Sequence, residues 1–288
     1  MNKAVIDMLE RYDTQSTGDY ENALREIFQE LALLGLWRSK FFEHAAFYGG
    51  TALRILHGLD RFSEDMDFSL MRTDKTFDFL PHCRFIEKEL EAWGFPVRVE
   101  IKKKTVDSPI ESAFLKAETF KQMMLIEAPE AVVGRLHRNQ LLRIKIEIDT
   151  DPPPAFETES NFLLQPIPFS VRSYTPPSLF AGKLHALLFR KWGRRVKGRD
   201  WYDLVWYAAK GIPVDLAHLS ARMRQTGQWT QEVSLSEAEF RHLLETRVLE
   251  LDVGAAVADV EPFLRNRTSI EVWSTGFFMD VARRITVA

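Results

Sequence analysis

Tyr48-Gly49-Gly50-Thr51-Ala52-Leu53-Arg54, followed by Arg61-Phe62-Ser63-Glu64-Asp65-Met66-Asp67-Phe68, is the stretch on which the fold of this 288-residue chain turns. Ala46-Phe47-Tyr48 reads as a short buried strand and Gly49-Gly50 as a tight turn. Thr51 to His57 then reads as a helix whose N-terminus the glycines leave open. After Gly58 a polar loop, Leu59 to Glu64, leads to a second strand, Asp65 to Leu70. Ser63, Asp65 and Asp67 lie 13 to 17 residues after Gly50, which lets one short helix lead back to an adjacent strand.

The residue types in this block carry a chemistry. Two glycines at a helix start expose backbone N–H groups, and with the helix dipole they favour an anion such as phosphate. Side chains alternate along a strand, so Asp65 and Asp67 share one face while Met66 and Phe68 enter the core. Paired carboxylates suit a hard divalent cation, Mg²⁺ or Mn²⁺, which completes its shell with substrate phosphates. Gly49, Gly50, Thr51 and Ser63 are therefore candidate nucleotide contacts, beside a metal pair formed by Asp65 and Asp67. Arg54 and Arg61 add cations that serve phosphates or plain salt bridges equally well. The outline is a nucleoside triphosphate site.

Outward from this block, Ala23, Ile27, Phe28, Leu31, Leu34 and Leu36 mark an amphipathic helix between Asp19 and Trp37. The span Phe77–Trp93 has helical periodicity, and Val97–Lys103 and Glu111–Ala117 read as antiparallel strands. A last strong strand runs from Leu141 to Asp149, with three isoleucines on one face and Arg143, Lys145, Glu147 and Asp149 on the other. Either Glu147 or Asp149 is placed to be a third carboxylate of a two-metal centre. Glu147 is preferred, because Asp149 adjoins the loop.

Seven of the thirteen prolines fall between Pro152 and Pro177, a density that marks a domain boundary. Beyond it helices are expected over Ser178–Lys191, Arg199–Lys210, Asp215–Gln225, Ser236–Leu251 and near Thr275–Arg284. The layout is a mixed α/β domain over residues 1–165 and an all-α domain over 166–288. With 38 Lys and Arg against 41 Asp and Glu, the chain as a whole does not attract polyanions, so any such site is local. The single cysteine, Cys83, excludes a disulfide framework. The N-terminus lacks the apolar core of a signal peptide and no stretch reaches membrane-span length, so a cytoplasmic protein with no membrane partner is expected.

In the second half Lys183 and Arg190 share a helix face, and Arg190, Lys191, Arg194, Arg195, Lys197 and Arg199 put six cations within ten residues. Such a run suits phosphate or RNA backbone, or else is a solvated loop. Asp200 and Asp203 follow directly, where they fit N-cap and N3 of the next helix. Trp201, Leu204, Val205 and Ala208 read as core.

Taken together, Gly49-Gly50-Thr51-Ala52-Leu53, Arg61-Phe62-Ser63-x-Asp65-x-Asp67-Phe68 and Lys183-x-x-Ala186 leading to Arg199-Asp200-x-Tyr202-Asp203-Leu204 resemble the AbiEii/AbiGii toxin family of nucleotidyltransferases, in the DNA polymerase β-like superfamily. The resemblance implies an α+β fold, with a mixed or antiparallel sheet and flanking helices in an N-terminal nucleotidyltransferase domain, and a helical C-terminal domain. It implies catalytic roles for Asp65, Asp67, Lys183, Asp200 and Asp203, with Lys183 meeting the triphosphate. It also implies an RNA acceptor, tRNA for some relatives, and a separately encoded antitoxin in an AbiE-type toxin–antitoxin system that acts in phage defence. Two departures stand out: Thr51 occupies a position often held by Ser, and the gap to the aspartate pair is longer than usual. A glycosyltransferase would also use Asp-x-Asp but leaves Lys183 and the late basic run without a role. A non-catalytic adaptor on the same fold would not need Asp65, Asp67 and Lys183 intact.

Overall fold

The computed structural model describes residues 3–102, 110–118, 128, 141–190 and 196–288. Among them are seven strands and ten α-helices: α1 (Lys3–Leu9), α2 (Thr17–Arg38), β1 (Ala45–Tyr48), α3 (Gly49–His57), β2 (Met66–Leu70), α4 (Leu80–Ala92), β3 (Arg98–Lys102), β4 (Ile110–Glu118), β5 (Leu141–Asp149), β6 (Thr158–Leu163), β7 (Phe169–Tyr174), α5 (Pro176–Phe189), α6 (Gly198–Ala209), α7 (Leu216–Gln225), α8 (Glu237–Leu249), α9 (Val253–Val260) and α10 (Thr275–Arg284). The mixed sheet has the order β3-β4-β5-β2-β1-β7-β6. β1 is antiparallel to β2 and parallel to β7, β2 is parallel to β5, and β3 to β5 form an antiparallel meander.

Alternation along the strands sorts the faces as the sequence dictates. Phe47, Met66, Phe68, Ile144, Ile146 and Ile148 are fully buried, and the Phe47 and Phe68 rings stack at 5.0 Å. α2 starts at a Ser16 capping box with Asp19. It lies so close to α4 that a Cβ on Gly35 would come within 2.9 Å of the Phe85 carbonyl.

Two expectations change. Gly49-Gly50 is the first turn of α3 itself, with only Gly49 at positive φ (83°). The proline-rich stretch holds two strands, β6 and β7, because its prolines sit before, between and after them, and Pro176 and Pro177 open α5 where a missing N–H costs nothing. The chain divides into two compact units, residues 1–57, 63–152 and 160–173 against 58–62, 153–159 and 174–288, and it passes between them several times.

In the helical unit, Gly198 begins α6 against α9, where a Cβ would overlap the Ala256 carbonyl. Trp201 and Leu204 are buried as expected, and Tyr207 stacks on Phe180 at 4.1 Å. No helix among the described residues is long and apolar enough to cross a membrane.

Candidate active site

In the sheet unit the Gly49 turn, the segment 63–67 and the C-terminal part of β5 come together. Asp67 pairs with Tyr48 in the antiparallel ladder and with Glu147 in the parallel one, so Asp67 and Glu147 stand side by side on one face. Asp65 is two residues earlier, immediately ahead of β2, and exposed. A Cβ on Gly49 would collide with the Asp67 carboxylate, so the glycine makes the space that this carboxylate occupies. Glu147 pairs with Lys145 at 2.7 Å. Asp149, aligned with Ser69, is buried and accepts a hydrogen bond from the Asp151 amide at 3.0 Å.

Thr51 and Ser63, expected at the nucleotide, are tied to the backbone of this loop. The fully buried Thr51 hydroxyl donates to the Asp65 carbonyl, so the hydrogen of the 2.9 Å bond to Ser63 Oγ comes from Ser63. Arg54 is in the salt-bridge role: its Nε meets Glu26 Oε2 at 2.7 Å. Glu26 also accepts from the Tyr12 hydroxyl at 2.9 Å, and Arg11 grips Glu30 through both oxygens at 2.9–3.0 Å. Burial pushes the Glu30 carboxyl up to about 7, against the pull of Arg11.

In the helical unit the second set converges. Lys183 Nζ lies 2.7 Å from Asp200 Oδ1 and 2.8 Å from Asp203 Oδ2. Arg61, from the loop 58–62, meets the same Asp203 through Nε and Nη2. Burial alone would drag Lys183 and Arg61 down and Asp203 up, but their mutual attraction outweighs it and keeps all three charged. The capping role read for the aspartates is corrected: Lys197 is the N-cap of α6 and makes no side-chain cap bond, Asp200 is third in the helix, and Asp203 lies a turn inside it. Arg61 is likewise in its salt-bridge role, 2% exposed. Its loop is pinned further by Tyr202 on Asp60 at 2.7 Å and by the Phe62 amide on the Phe263 carbonyl at 3.0 Å.

Of the basic run, Arg190 is exposed, Lys197 is half-buried, and Arg199 covers the Phe263 ring at 4.0 Å. Lys191, Arg194 and Arg195 lie outside the described residues.

Across residues 31–276 the chain matches the family described as nucleotidyl transferase AbiEii toxin, type IV toxin–antitoxin system. It belongs to the AbiEii nucleotidyltransferase toxin family. No curated protein matches it. Two solved structures from Helicobacter pylori share the fold: JHP933, at 17% identity and TM-score 0.51 over 91% of this chain and 90% of that one, and a protein provisionally named a nucleotidyltransferase, at 17% and 0.50 over 90% and 92%.

Set against the AbiEii motif blocks, the structure brings Gly49, Thr51, Ser63, Asp65, Asp67 and Glu147 together in one unit, and Arg61, Lys183, Asp200 and Asp203 in the other. It also brings in residues the motif reading missed. Glu26, Gln29 and Glu30 of α2 are all buried, and Gln29 reaches the same loop through hydrogen bonds to the Ser63 and Glu64 carbonyls. The signal for them lay in the stretch 23–36, whose only polar residues are Arg25, Glu26, Gln29 and Glu30. A helix so apolar is buried on most sides, and its carboxylates and amides then require partners.

Proposed function

We propose that this AbiEii-family nucleotidyltransferase moves a nucleoside monophosphate from a nucleoside triphosphate to an RNA acceptor, tRNA in the first instance, with Mg²⁺ or Mn²⁺ held by Asp65 and Asp67. The observation that carries the reading is the Gly49 turn, whose missing side chain leaves room for the Asp67 carboxylate. Among the described residues no three His, Cys, Asp or Glu side chains form a metal-holding group. The donor set still fits, because Mg²⁺ uses one or two carboxylates and takes its remaining ligands from water and substrate phosphates. When bound there, a divalent cation neutralises charge on the attacking and leaving oxygens.

On this reading the start of α3 presents its N–H groups to the phosphates, and Asp65 and Asp67 orient the reacting oxygens. Glu147 joins them on exchanging Lys145 for the substrate-loaded site. Lys183 supplies positive charge for the triphosphate, with Asp200 as its more accessible partner. The run from Arg190 to Arg199 contacts RNA backbone, and the protein acts in the cytoplasm as a toxin restrained by a separately encoded antitoxin, in phage defence.

Incubation with each labelled nucleoside triphosphate, Mg²⁺ and total cellular RNA tests this. Label in a discrete RNA band, lost in Asp65→Asn and Asp67→Asn, is the expected result. Transfer that persists in both variants with EDTA present would reject the metal role, and label released with no RNA product would reject the acceptor. Expression in a bacterial host should stop growth, and the Asp67→Ala form should not.

A further inference from the structure

We infer that Gln29 of α2 is a positioning residue that holds Asp65 in its working orientation by clamping the two backbone carbonyls before it. The inference rests on the reading of Asp65 and Asp67 as the metal-holding carboxylates.

Gln29 is 1% exposed. Its Nε2 donates to the Ser63 carbonyl and the Glu64 carbonyl, both at 3.1 Å. The next carbonyl, that of Asp65, receives the Thr51 hydroxyl. Three consecutive carbonyls of a segment with no ladder of its own are therefore fixed by side chains from two helices. In a solvated loop water would satisfy them. Fixing those peptide planes sets the direction in which the chain enters β2, and with it the departure of the Asp65 side chain. The amide is used on one side only: both protons are spent on the loop, while Oε1 is buried with no hydrogen-bond partner among the described residues.

That one-sidedness argues against a role in stability alone. An unmatched buried acceptor costs free energy, and an apolar side chain of the same size would fill the space without it. The neighbouring turn of α2 shows the same orientation towards the site, since Glu26, three residues earlier, holds Arg54 of α3 at 2.7 Å. α2 thus carries a polar stripe, Glu26 and Gln29, that reaches the Gly49 helix and the aspartate loop together. Carboxylates in a reaction centre need placement to a fraction of an ångström, and a side chain behind the loop supplies it.

The test uses the full chain with Gln29→Met, which keeps bulk and loses both donors, and Gln29→Asn, which keeps the amide but is one methylene too short to span both carbonyls. Mn²⁺ binding is followed by electron paramagnetic resonance, hydrogen exchange over 62–67 by mass spectrometry, and melting temperature in parallel. Expected are faster exchange confined to that segment, Mn²⁺ binding weakened roughly tenfold, and a fall in kcat of similar size with little change in KM for the triphosphate. A lower melting temperature with Mn²⁺ affinity and kcat as in the wild type would overturn the inference, as would unchanged exchange over 62–67. Asp65→Asn separates the two levels. If that control leaves Mn²⁺ binding intact, the metal reading fails, and with it the purpose assigned to the clamp.

Discussion

Arg61 and Asp203 are joined by a two-toothed ion pair, Nε to Oδ1 and Nη2 to Oδ2, each 2.6 Å, with side chains only 3% and 0% exposed. The same carboxylate takes Lys183, and Lys183 takes Asp200, so two cations and two anions balance inside the helical unit. Arg61 stands two residues before Ser63, where the chain passes to the other unit. The pair ties that segment to α6, and an arginine that meets a carboxylate looks the same in sequence as one that meets a phosphate.

Removing one partner of such a pair leaves a buried charge uncompensated. Asp203→Asn should therefore destabilise the protein by about 3–5 kcal/mol, read by urea unfolding. Asp200→Asn, at the more accessible end, should cost less stability and more activity. Equal losses of stability in the two variants would contradict this division. Because its ion partners hold Asp203 below the ordinary carboxylate range, the contribution of this pair persists at neutral pH and fades as acid approaches and passes below that range.

Gly49→Ala is expected to abolish transfer with only a modest loss of stability. The residue sits at φ 83°, and any Cβ there meets the Asp67 carboxylate. Backbone strain of about 1–2 kcal/mol is tolerable for the fold, whereas a displaced Asp67 is not tolerable for the chemistry. Gly58→Ala is the control: it shares the positive φ of 74° with nothing near its Cβ, so it should show the strain alone.

The core strands were legible because their alternation is strict: Ile144, Ile146 and Ile148 face inward over the very span expected, 141–149. β6 and β7 were not, since prolines counted over a window hide the fact that each lies outside a strand. The motif blocks were legible as residue types, but not the choice each arginine makes. Arg54 and Arg61 are both spent on carboxylates distant in sequence, at Glu26 and Asp203, and pairings at that separation leave no local periodicity. Gln29 was hidden for the opposite reason: its partners are backbone carbonyls, which every residue has.

Acid should loosen the helical unit through His218. Burial holds this ring at about 4, well below its ordinary range; it is fully buried, with Nδ1 donating to the Pro154 carbonyl at 3.0 Å. The unfolded chain takes up its proton first, near pH 6.5, so the stability due to neutral His218 is present above that pH and is lost as pH falls towards 4. His218→Asn keeps a donor for Pro154 and has no such titration. Melting temperature should drop from pH 7 to pH 5 more steeply in the wild type than in the variant, and parallel curves would dismiss the assignment.

Glu147 and Asp149 now make different predictions, although they alternate on the same strand face. Glu147 is level with Asp67 across the parallel ladder and half-buried, and it holds a 2.7 Å pair with Lys145, which is itself about a third exposed. A carboxylate held by a partly solvated lysine is easily recruited, because such a pair is worth at most about 1 kcal/mol. Asp149 is level with Ser69, buried, and occupied in receiving the Asp151 amide where the chain leaves the sheet. Glu147→Gln should accordingly lower the transfer rate by roughly a hundredfold, the scale seen when one electrostatic group of a reaction centre is removed, while leaving the melting temperature near that of the wild type. Asp149→Asn should do the reverse, costing about 1–3 kcal/mol of stability through its buried hydrogen bond and much less in rate. Lys145→Met adds a third arm: if the lysine only stores the Glu147 carboxylate, its loss leaves transfer intact or faster at limiting Mg²⁺. Full activity in Glu147→Gln at limiting Mg²⁺ would leave Asp65 and Asp67 as the whole of the protein's metal-binding set.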